Sequence, residues 1–240
     1  MRKNDLVDFH THILPKMDDG ARDVKTSVEM LKTLYDQGVT HCVLTPHYMN
    51  DSESVEHFIA RREESYEALK KACQGQKIPK IALGAEVYLN KEISNDDLKP
   101  LCMGNSNIIM LEFPSSKFQY WMIDEIEHIA FEQNIDIMFA HVDRLLDYFT
   151  PSQLEQVFGF EDFIYQINNI SLRSLKKRLA FYHYYSKEMP IVLGSDSHDI
   201  KHRAPDFSKS MRRIKCFPYG NRIKRSVEAT SEILLKEIFD

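Results

Sequence analysis

Short apolar runs recur along the chain, and longer amphipathic stretches separate each run from the next. The runs are rich in β-branched and aliphatic residues, as is typical of strands that are buried on both faces of a parallel sheet. In chain order they lie at residues 6–9, 42–44, 81–83, 108–111, 135–140, 163–167 and 191–193. The pattern therefore predicts seven buried parallel strands.

Four of the intervals carry apolar residues at helical spacing, and Gly38 stands where a C-terminal cap belongs after the first of them. The alternation of strands and helices predicts an α/β fold whose parallel sheet has right-handed crossovers. Seven strands are enough to close a TIM-like barrel, and an open doubly wound sheet is the alternative. The helical stripes are Val28, Leu31, Leu34 and Tyr35; Val55, Phe58, Ile59, Tyr66 and Leu69; Met122, Ile123, Ile126, Ile129 and Ala130; and Leu172, Leu175, Leu179 and Tyr182.

The composition is that of an ordinary globular protein and excludes a collagen-like, mucin-like or largely disordered chain. No low-complexity tract or Pro/Gly-rich linker interrupts the 240 residues, so we expect a single domain over residues 1–240. Lys and Arg number 31 and Asp and Glu 36, which gives a net charge of −5. So mild an acidity gives no support to nucleic-acid binding.

The four cysteines, at positions 42, 73, 102 and 216, form no Cys-x-x-Cys pair and no secreted disulfide framework. The apolar segment near the N-terminus is too short for a signal peptide, and no run approaches the roughly 20 apolar residues that a membrane helix needs. We therefore expect a protein of the reducing cytoplasm, without membrane insertion.

Polar residues follow the apolar runs, and in a parallel barrel such strand ends converge on one face, where active sites lie. Imidazoles and carboxylates without thiolate indicate manganese, iron or a catalytic zinc rather than a structural zinc. His10 and His12, two apart on a strand, point to the same side, and Asp196 and His198 repeat that spacing. In order, the strand ends carry His10, His12, His47, Glu86, Glu112, His141, Asn168, Asp196 and His198.

Other polar and aromatic residues leave alternatives open. Asp18 and Asp19 before Gly20 fit a turn and a ligand pair equally well. Packing or surface roles are favoured for His41, His57, His128 and His183, and solvent exposure for His202. A role in flanking a substrate ring and a role in barrel-rim packing are both open for Tyr48, Phe113, Phe118, Tyr120 and Trp121.

Taken in order, seven segments resemble the polymerase and histidinol phosphatase (PHP) superfamily. More narrowly, the chain is similar to the bacterial manganese-dependent protein-tyrosine phosphatases of capsular and exopolysaccharide systems. The resemblance extends from about residue 6 to about residue 205, and the full ordered set is far more specific than the histidine pair alone. The segments are Asp8-Phe9-His10-Thr11-His12, Asp18-Asp19-Gly20, Thr45-Pro46-His47, Gly84-Ala85-Glu86, Leu111-Glu112-Phe113, Ala140-His141-Val142-Asp143-Arg144 and Gly194-Ser195-Asp196-Ser197-His198.

The resemblance implies a distorted seven-stranded β/α barrel that holds three divalent metal ions, manganese first and iron or zinc as alternatives. Glu86 would bridge the first two ions, and Arg144 and Arg203 would hold the phosphate. Asp143 stands where these phosphatases often carry glutamate. The implied ligands are His10, His12, Glu86 and Asp196 for the first ion, Glu86, Glu112 and His141 for the second, and Asp19, His47 and His198 for the third.

The expected activity is hydrolysis of phosphotyrosine on a protein, with a bacterial tyrosine autokinase as the implied partner and a homo-oligomer left open. Four carboxylate ligands and three divalent ions leave a charge of about +2, which suits a phosphomonoester dianion. A hydroxide held between two metals would attack phosphorus. The alternatives are a phosphatase of a small phosphomonoester, such as a histidinol phosphate-like metabolite, and a metal-binding module without turnover.

Cys216 and Arg222 have the Cys-x5-Arg spacing of cysteine-dependent tyrosine phosphatases. Lys215 stands where those enzymes place histidine, and Pro218 removes a backbone N–H from the phosphate cradle. We interpret the spacing as a coincidence, so no nucleophilic cysteine is expected.

Overall fold

Each of the seven apolar runs overlaps a strand in the computed structural model, which describes residues 6–160, 162–184, 189–207, 213–214 and 220–240. The strands in this part of the chain are β1 (Leu6–Thr11), β2 (Val39–Leu44), β3 (His47–Tyr48), β4 (Lys80–Leu83), β5 (Glu86–Tyr88), β6 (Ile108–Glu112), β7 (Asp136–Phe139), β8 (Ile164–Asn168) and β9 (Ile191–Gly194). The α-helices are α1 (Val24–Asp36), α2 (Val55–Ala72), α3 (Trp121–Glu132), α4 (Pro151–Val157), α5 (Leu175–Tyr184) and α6 (Gly220–Phe239).

All strand pairs are parallel, in two sheets of order β1-β2-β4 and β3-β5-β6-β7-β8-β9. Two short bends, between β2 and β3 and between β4 and β5, carry the chain from the first sheet to the second. Pairing continues through the bends, since the Gly84 N–H donates to the Leu44 carbonyl at 2.9 Å and the Glu86 N–H to the Pro46 carbonyl at 3.0 Å.

The first and last strands meet at a parallel bridge between Thr11 and Ser197. The His12 N–H donates to the Ser197 carbonyl at 3.0 Å, and the Asp196 N–H to the His10 carbonyl at 2.9 Å. These bonds form a seam between β1 and the segment after β9. Because both sheets are continuous and the outer strands meet, the fold is a barrel-like parallel α/β fold rather than an open sheet.

The barrel interior is apolar at the N-terminal ends of the strands, where Val7 and Phe9 of β1 pack with Ile108 and Met110 of β6. Helix α6 adds buried side chains such as Ile238 to the same cluster. A second core, between the strands and the outer helices, holds most of the remaining apolar residues. Polar side chains are thereby left to the opposite, C-terminal end of the barrel.

Helix α1 ends as predicted. Asp23 caps its start by accepting a hydrogen bond from the Thr26 N–H at 2.8 Å. Gly38 follows its end with φ +90°, and the Gly38 N–H donates to the Tyr35 carbonyl at 2.9 Å. A residue with a side chain is strained at this φ, which explains why glycine stands there.

The fourth helical stripe was predicted to face the core, and the structure contradicts this. Leu172 is buried, but it lies in a 3-10 helix (Asn169–Arg173) that precedes α5. Leu175 and Leu179 on α5 are 60% and 56% exposed, because α5 turns this face away from the barrel. The side chain of Tyr182 lies outside the described residues.

None of the helices in the described part of the chain has the length and apolar character needed to span a lipid bilayer.

Candidate functional site

A bulge in β1 sets the direction of its two histidines. Asp8 pairs with Cys42 and Thr11 with Leu44, so three steps on β1 oppose two on β2. Phe9 packs in the barrel interior, and His10 reaches the same interior from the adjacent position. Because a bulge re-aims the side chains that follow it, His10 and His12 both face the C-terminal end of the barrel.

The nine predicted ligands come together at that end. Seven of their side chains are buried or nearly so, while His47 is 23% and Asp19 65% exposed. His47 begins β3 and Glu86 begins β5, directly after the two bends. The two bends therefore place the His47 imidazole and the Glu86 carboxylate in the middle of the site.

The first group consists of His10, His12 and Glu86. The Nε2 atoms of the two histidines are 3.1 Å apart, and each lies 3.1 Å from Oε2 of Glu86. Neighbouring ligands of an ion with bonds of about 2.1 Å are roughly 3.0 to 3.4 Å apart, so these three atoms fit one cation. Oδ1 of Asp196 is farther away, at 3.9 Å from His10 and 3.5 Å from His12.

The second group lies on the other side of the Glu86 carboxylate. Nε2 of His141 is 2.9 Å from Oε1 of Glu86 and 3.2 Å from Oε1 of Glu112. Both Glu86 oxygens are buried, and neither has a hydrogen bond of acceptable geometry among the described residues. A buried carboxylate with one oxygen toward each group fits a ligand that bridges two cations.

The third group is Asp19, His47 and His198, with the His12 ring beside them. Oδ1 of Asp19 lies 3.2 Å from Nε2 of His198 and 3.5 Å from Nε2 of His47. His47 also places Nδ1 at 3.0 Å from Oε2 of Glu86. His47 therefore stands between groups, whereas the resemblance assigned it to the third ion alone.

Asp18 orients ligands, a role that the sequence left open. Its carboxylate lies 2.7 Å from Nδ1 of His12 and accepts the N–H groups of His47 and Gly20, both at 2.9 Å. A proton held on Nδ1 leaves the Nε2 lone pair of His12 free for a cation. Of the two neighbouring aspartates, Asp19 thus faces the third group and Asp18 supports the first.

Gln166 is a site residue that the sequence reasoning missed. Its Oε1 accepts the His141 N–H at 2.7 Å and lies 2.8 Å from Nδ1 of His10. Its amide nitrogen donates to Asn168 at 3.0 Å, and Asn168 donates to Asp196 at 2.9 Å. The only available signal was a polar residue inside the apolar run at 163–167.

Replacing Gln166 with Met is expected to weaken Mn²⁺ binding by about 10- to 100-fold, because His10 and the His141 backbone lose their common partner. Titration calorimetry on metal-stripped protein measures the change. Gln156→Met, at an exposed position on α4, is the control and should bind Mn²⁺ as the parent does. Equal affinity in the parent and Gln166→Met would show that Gln166 does not position the ligands.

Backbone geometry at the site is constrained. His141 and Asp196 have φ of 27° and 50°, values that side-chain-bearing residues adopt rarely and mostly at functional sites. A Cβ on Gly194 would lie 2.5 Å from the amide nitrogen of Gln166 and 2.6 Å from Cβ of His10. Glycine at this position therefore lets β9 approach the ligand-bearing strands.

The ring nitrogens and carboxylates shift one another's protonation. Burial lowers the pKa of His12, but the hydrogen bond with Asp18 and the negative charge of the adjacent Glu86 outweigh burial and raise that pKa to about 10. In His141 the same balance, with Glu112 and Glu86, raises the pKa to about 9. Burial and the charge of His12 lower the pKa of His198 to about 4. Protons and metal cations therefore compete for the same atoms.

Arg144 and Arg203 lie against Asp196 at the edge of the groups. Arg144 donates to Oδ2 of Asp196, and its other terminal nitrogen lies 3.0 Å from Nε2 of His141. Arg203 donates to Oδ1 of Asp196 at 2.8 Å. Both guanidinium groups are partly exposed, so they are accessible to a bound anion.

Asp143 holds the segment that carries Arg144. It is buried, accepts the Asn168 N–H at 2.9 Å and also accepts a hydrogen bond from the Ser171 hydroxyl. Lys177 lies 3.6 Å from the same carboxylate. The aspartate thus fastens the 3-10 helix Val142–Asp147 to the end of β8.

The remaining candidates take packing or surface positions. The His41 ring packs against Phe239, and His57 pairs with Glu53 at 2.7 Å. His128, His183 and His202 are exposed. Among the aromatics Tyr48, Phe113 and Phe118 are buried, Trp121 is partly buried and Tyr120 is exposed. The residues Cys216, Lys215 and Pro218 of the Cys-x5-Arg spacing lie outside the described residues.

Two curated proteins are similar along nearly the full chain. Staphylococcus aureus CapC, designated a tyrosine-protein phosphatase, is 28% identical over 240 residues, which are 88% of this chain and 85% of that protein. The tyrosine-protein phosphatase YwqE of Bacillus subtilis strain 168 is 25% identical over 251 residues, covering 96% of this chain and 92% of that protein.

Solved structures share the fold. One from the crystal structures of Bacillus subtilis YwqE and Streptococcus pneumoniae CpsB, described as unique metal-dependent tyrosine phosphatases, superimposes with a TM-score of 0.80 at 22% identity, covering 97% of this chain and 95% of that chain. The Lactococcus lactis histidinol phosphate phosphatase, solved with zinc, L-histidinol and phosphate, gives 0.56 at 14% identity, with 92% and 93% covered.

The family comparison covers more of the chain than any single motif. Residues 6–232 match the profile of the family described as capsular polysaccharide synthesis, CpsB/CapC. This range includes all nine predicted ligands and both arginines. The resemblance drawn from the ordered motifs is thereby confirmed, and the chain belongs to the CpsB/CapC family.

Proposed function

We propose that this chain is a metal-dependent protein-tyrosine phosphatase that acts on a tyrosine-phosphorylated protein of a capsule-producing system. The observation that carries the proposal is the Glu86 carboxylate, which faces His10 and His12 on one side and His141 on the other. The CpsB/CapC family and the names of the two similar proteins support the activity.

The side chains of the site fit divalent cations, since lone pairs of nitrogen and oxygen converge there and both Glu86 oxygens, His47 Nδ1 and His198 Nε2 lack a hydrogen-bond partner among the described residues. When bound there, such cations lower the pKa of coordinated water and neutralise phosphoryl oxygens. The three groups support three ions, and a donor set without thiolate supports manganese, with iron or zinc as alternatives. Asp196 completes the first group, and His47 completes the third.

Arg144 and Arg203 bind the phosphoryl oxygens. A guanidinium donates two parallel hydrogen bonds, which matches two oxygens of a phosphomonoester dianion. In the structure both arginines bind Asp196, so they already lie beside a proposed ligand of the first ion. A phosphoryl group between the arginines and cations held by Glu86 would thus be neutralised on two sides.

The proposal includes the architecture around the site. Counting β2 with β3 and β4 with β5 as bent strands gives a seven-stranded barrel, in one domain over residues 1–240. Cys42, Cys73 and Cys102 are free and buried, which supports a reducing cytoplasm as the location. The protein partner is a bacterial tyrosine autokinase, as the motif resemblance implies.

A comparison of substrates tests the function. Mn²⁺-loaded protein is assayed with a phosphotyrosine peptide, the matching phosphoserine peptide and L-histidinol phosphate. We expect kcat/KM for the phosphotyrosine peptide to exceed the others by at least about 100-fold. Preference for L-histidinol phosphate would favour a small-molecule phosphatase. Metal binding without turnover of any substrate would indicate a binding module.

Replacing Arg144 or Arg203 with Ala is expected to lower kcat/KM by roughly 30- to 1,000-fold with metal content unchanged, since charge-assisted bonds to the transition state are lost. Lysine variants should recover only part of the loss, because a point charge cannot reproduce the bidentate fork. Hydrolysis of an aryl phosphate and elemental analysis measure both quantities. Parent rates in both alanine variants would make the arginines structural.

A further inference from the structure

A cavity of about 480 Å³ opens beside the arginines of the proposed phosphate site. Its walls come from the 3-10 helix Asn169–Arg173, the start of α5 and the loop at residues 201–206. Arg144, Arg203 and Asp196 form the wall nearest to the metal-ligand groups. A molecule bound at the phosphate site would therefore extend into this cavity.

The cavity carries an excess of positive charge. Among the residues that the structure describes, five Lys and Arg side chains line it, against three Asp. Arg173 donates to Asp206, and Arg213 lies 3.3 Å from the same carboxylate, so two guanidinium groups share one negative charge. Lys201 is exposed and forms no ion pair within the described part of the chain. The cavity thus attracts a second anionic group beside the phosphate.

The loop that carries Lys201 is held in place before any ligand binds. The Asp199 carboxylate accepts the backbone N–H groups of Lys201 at 2.5 Å and His202 at 2.6 Å. It also accepts the N–H of Arg203 at 3.3 Å. One aspartate therefore fixes Lys201 and the phosphate-site arginine relative to each other, which lowers the ordering cost of binding.

A buried amide supplies an independent sign of a ligand. Asn169 lines the cavity and is only 1% exposed. Neither its amide nitrogen nor its oxygen has a hydrogen-bond partner among the residues the structure describes. Leaving such groups unpaired is costly, and an amide offers one donor and one acceptor in the spacing of a peptide group.

We propose that this cavity is a substrate subsite for an acidic residue next to the phosphotyrosine. Asn169 pairs with a peptide group of the substrate, while Lys201 and Arg173 attract the carboxylate of the flanking side chain. The inference rests on the proposed function and adds a substrate class to it, namely phosphotyrosine in an acidic sequence. Peptides with neutral or basic flanking residues bind less well. A neutral residue leaves the positive charges of the cavity unpaired, and a basic residue is repelled by them.

The test uses Mn²⁺-loaded protein and three phosphotyrosine peptides that differ only in the residues on either side, which are Glu, Gln or Lys. The parent should prefer the Glu peptide over the Gln peptide by about tenfold in kcat/KM, which corresponds to one charge-assisted hydrogen bond. Lys201→Glu should remove this preference and favour the Lys peptide. Lys236→Glu, at an exposed position on α6, should keep the parent's order of preference.

The ratio of kcat/KM between two peptides is compared within each variant, so it does not change when part of the protein in a preparation is inactive. Equal rates on the three peptides, or a Glu preference that survives Lys201→Glu, would overturn the subsite. An Asn169→Ala variant adds a second readout, since its rate on peptides should fall more than its rate on an aryl phosphate. Failure of the parent to hydrolyse both the phosphopeptides and the aryl phosphate would instead overturn the proposed function.

Discussion

The Glu86→Gln variant is expected to lose bound divalent metal and roughly 10⁴-fold or more of kcat/KM. Glu86 places one oxygen toward His10 and His12 and the other toward His141. The amide nitrogen of glutamine would put a donor where a cation should bind, and the negative charge shared by two groups would be lost. Elemental analysis after dialysis and turnover of a phosphotyrosine peptide measure the two effects.

Glu132→Gln, an isosteric change at an exposed position of α3, is the matched control and should keep both metal and rate. Circular dichroism of each variant checks that the fold is retained. Full metal content and full turnover in Glu86→Gln would show that the carboxylate does not bridge two ions.

Chelation is expected to abolish turnover, and added Mn²⁺ should restore it, while Cys216→Ser should stay within about twofold of the parent rate. Chelation and the Cys216→Ser substitution together distinguish a metal-dependent phosphatase from one with a cysteine nucleophile. A cysteine nucleophile attacks as a thiolate and needs no metal, so its replacement by serine would stop the reaction and chelation would not.

The measurement is the rate on one phosphotyrosine peptide before chelation, after it and after Mn²⁺ is returned. Cys73→Ser, at a buried free thiol that directly follows the end of α2, controls for general effects of removing a cysteine. Loss of activity in Cys216→Ser with metal content intact would reject the metal-dependent mechanism.

Much of the fold was predictable from the sequence. Each apolar run became a strand, since β-branched runs of this length bury both faces of a parallel sheet. The two short strands β3 and β5 escaped prediction because segments of two and three residues carry no periodicity. The family was predicted from ordered motifs, and the family comparison confirms it. The two similar proteins carry the name tyrosine-protein phosphatase, which is the activity that the motifs predicted.

The site residues that lie at or just after the C-terminal ends of strands could be predicted from the sequence. All nine predicted ligands lie at one end of the barrel, with His47 placed between groups. Gln166 could not be predicted, because whether a residue inside an apolar run faces the barrel interior depends on strand register. The bulge in β1 is likewise invisible in the sequence, although it aims His10 and His12. Asp18 was left undecided, since a turn and a ligand pair share the same residue types.

The seam between β1 and the segment after β9 has a consequence for biosynthesis. His10 leaves the ribosome 186 residues before Asp196, which adds a carboxylate from the other side of the seam. At a translation rate of about 5 to 20 residues per second, roughly 10 to 40 s pass between the synthesis of His10 and that of Asp196. Pairing of the outermost strands is also the most non-local step of folding. A complete metal complement is therefore expected to be taken up only after translation of the barrel has finished.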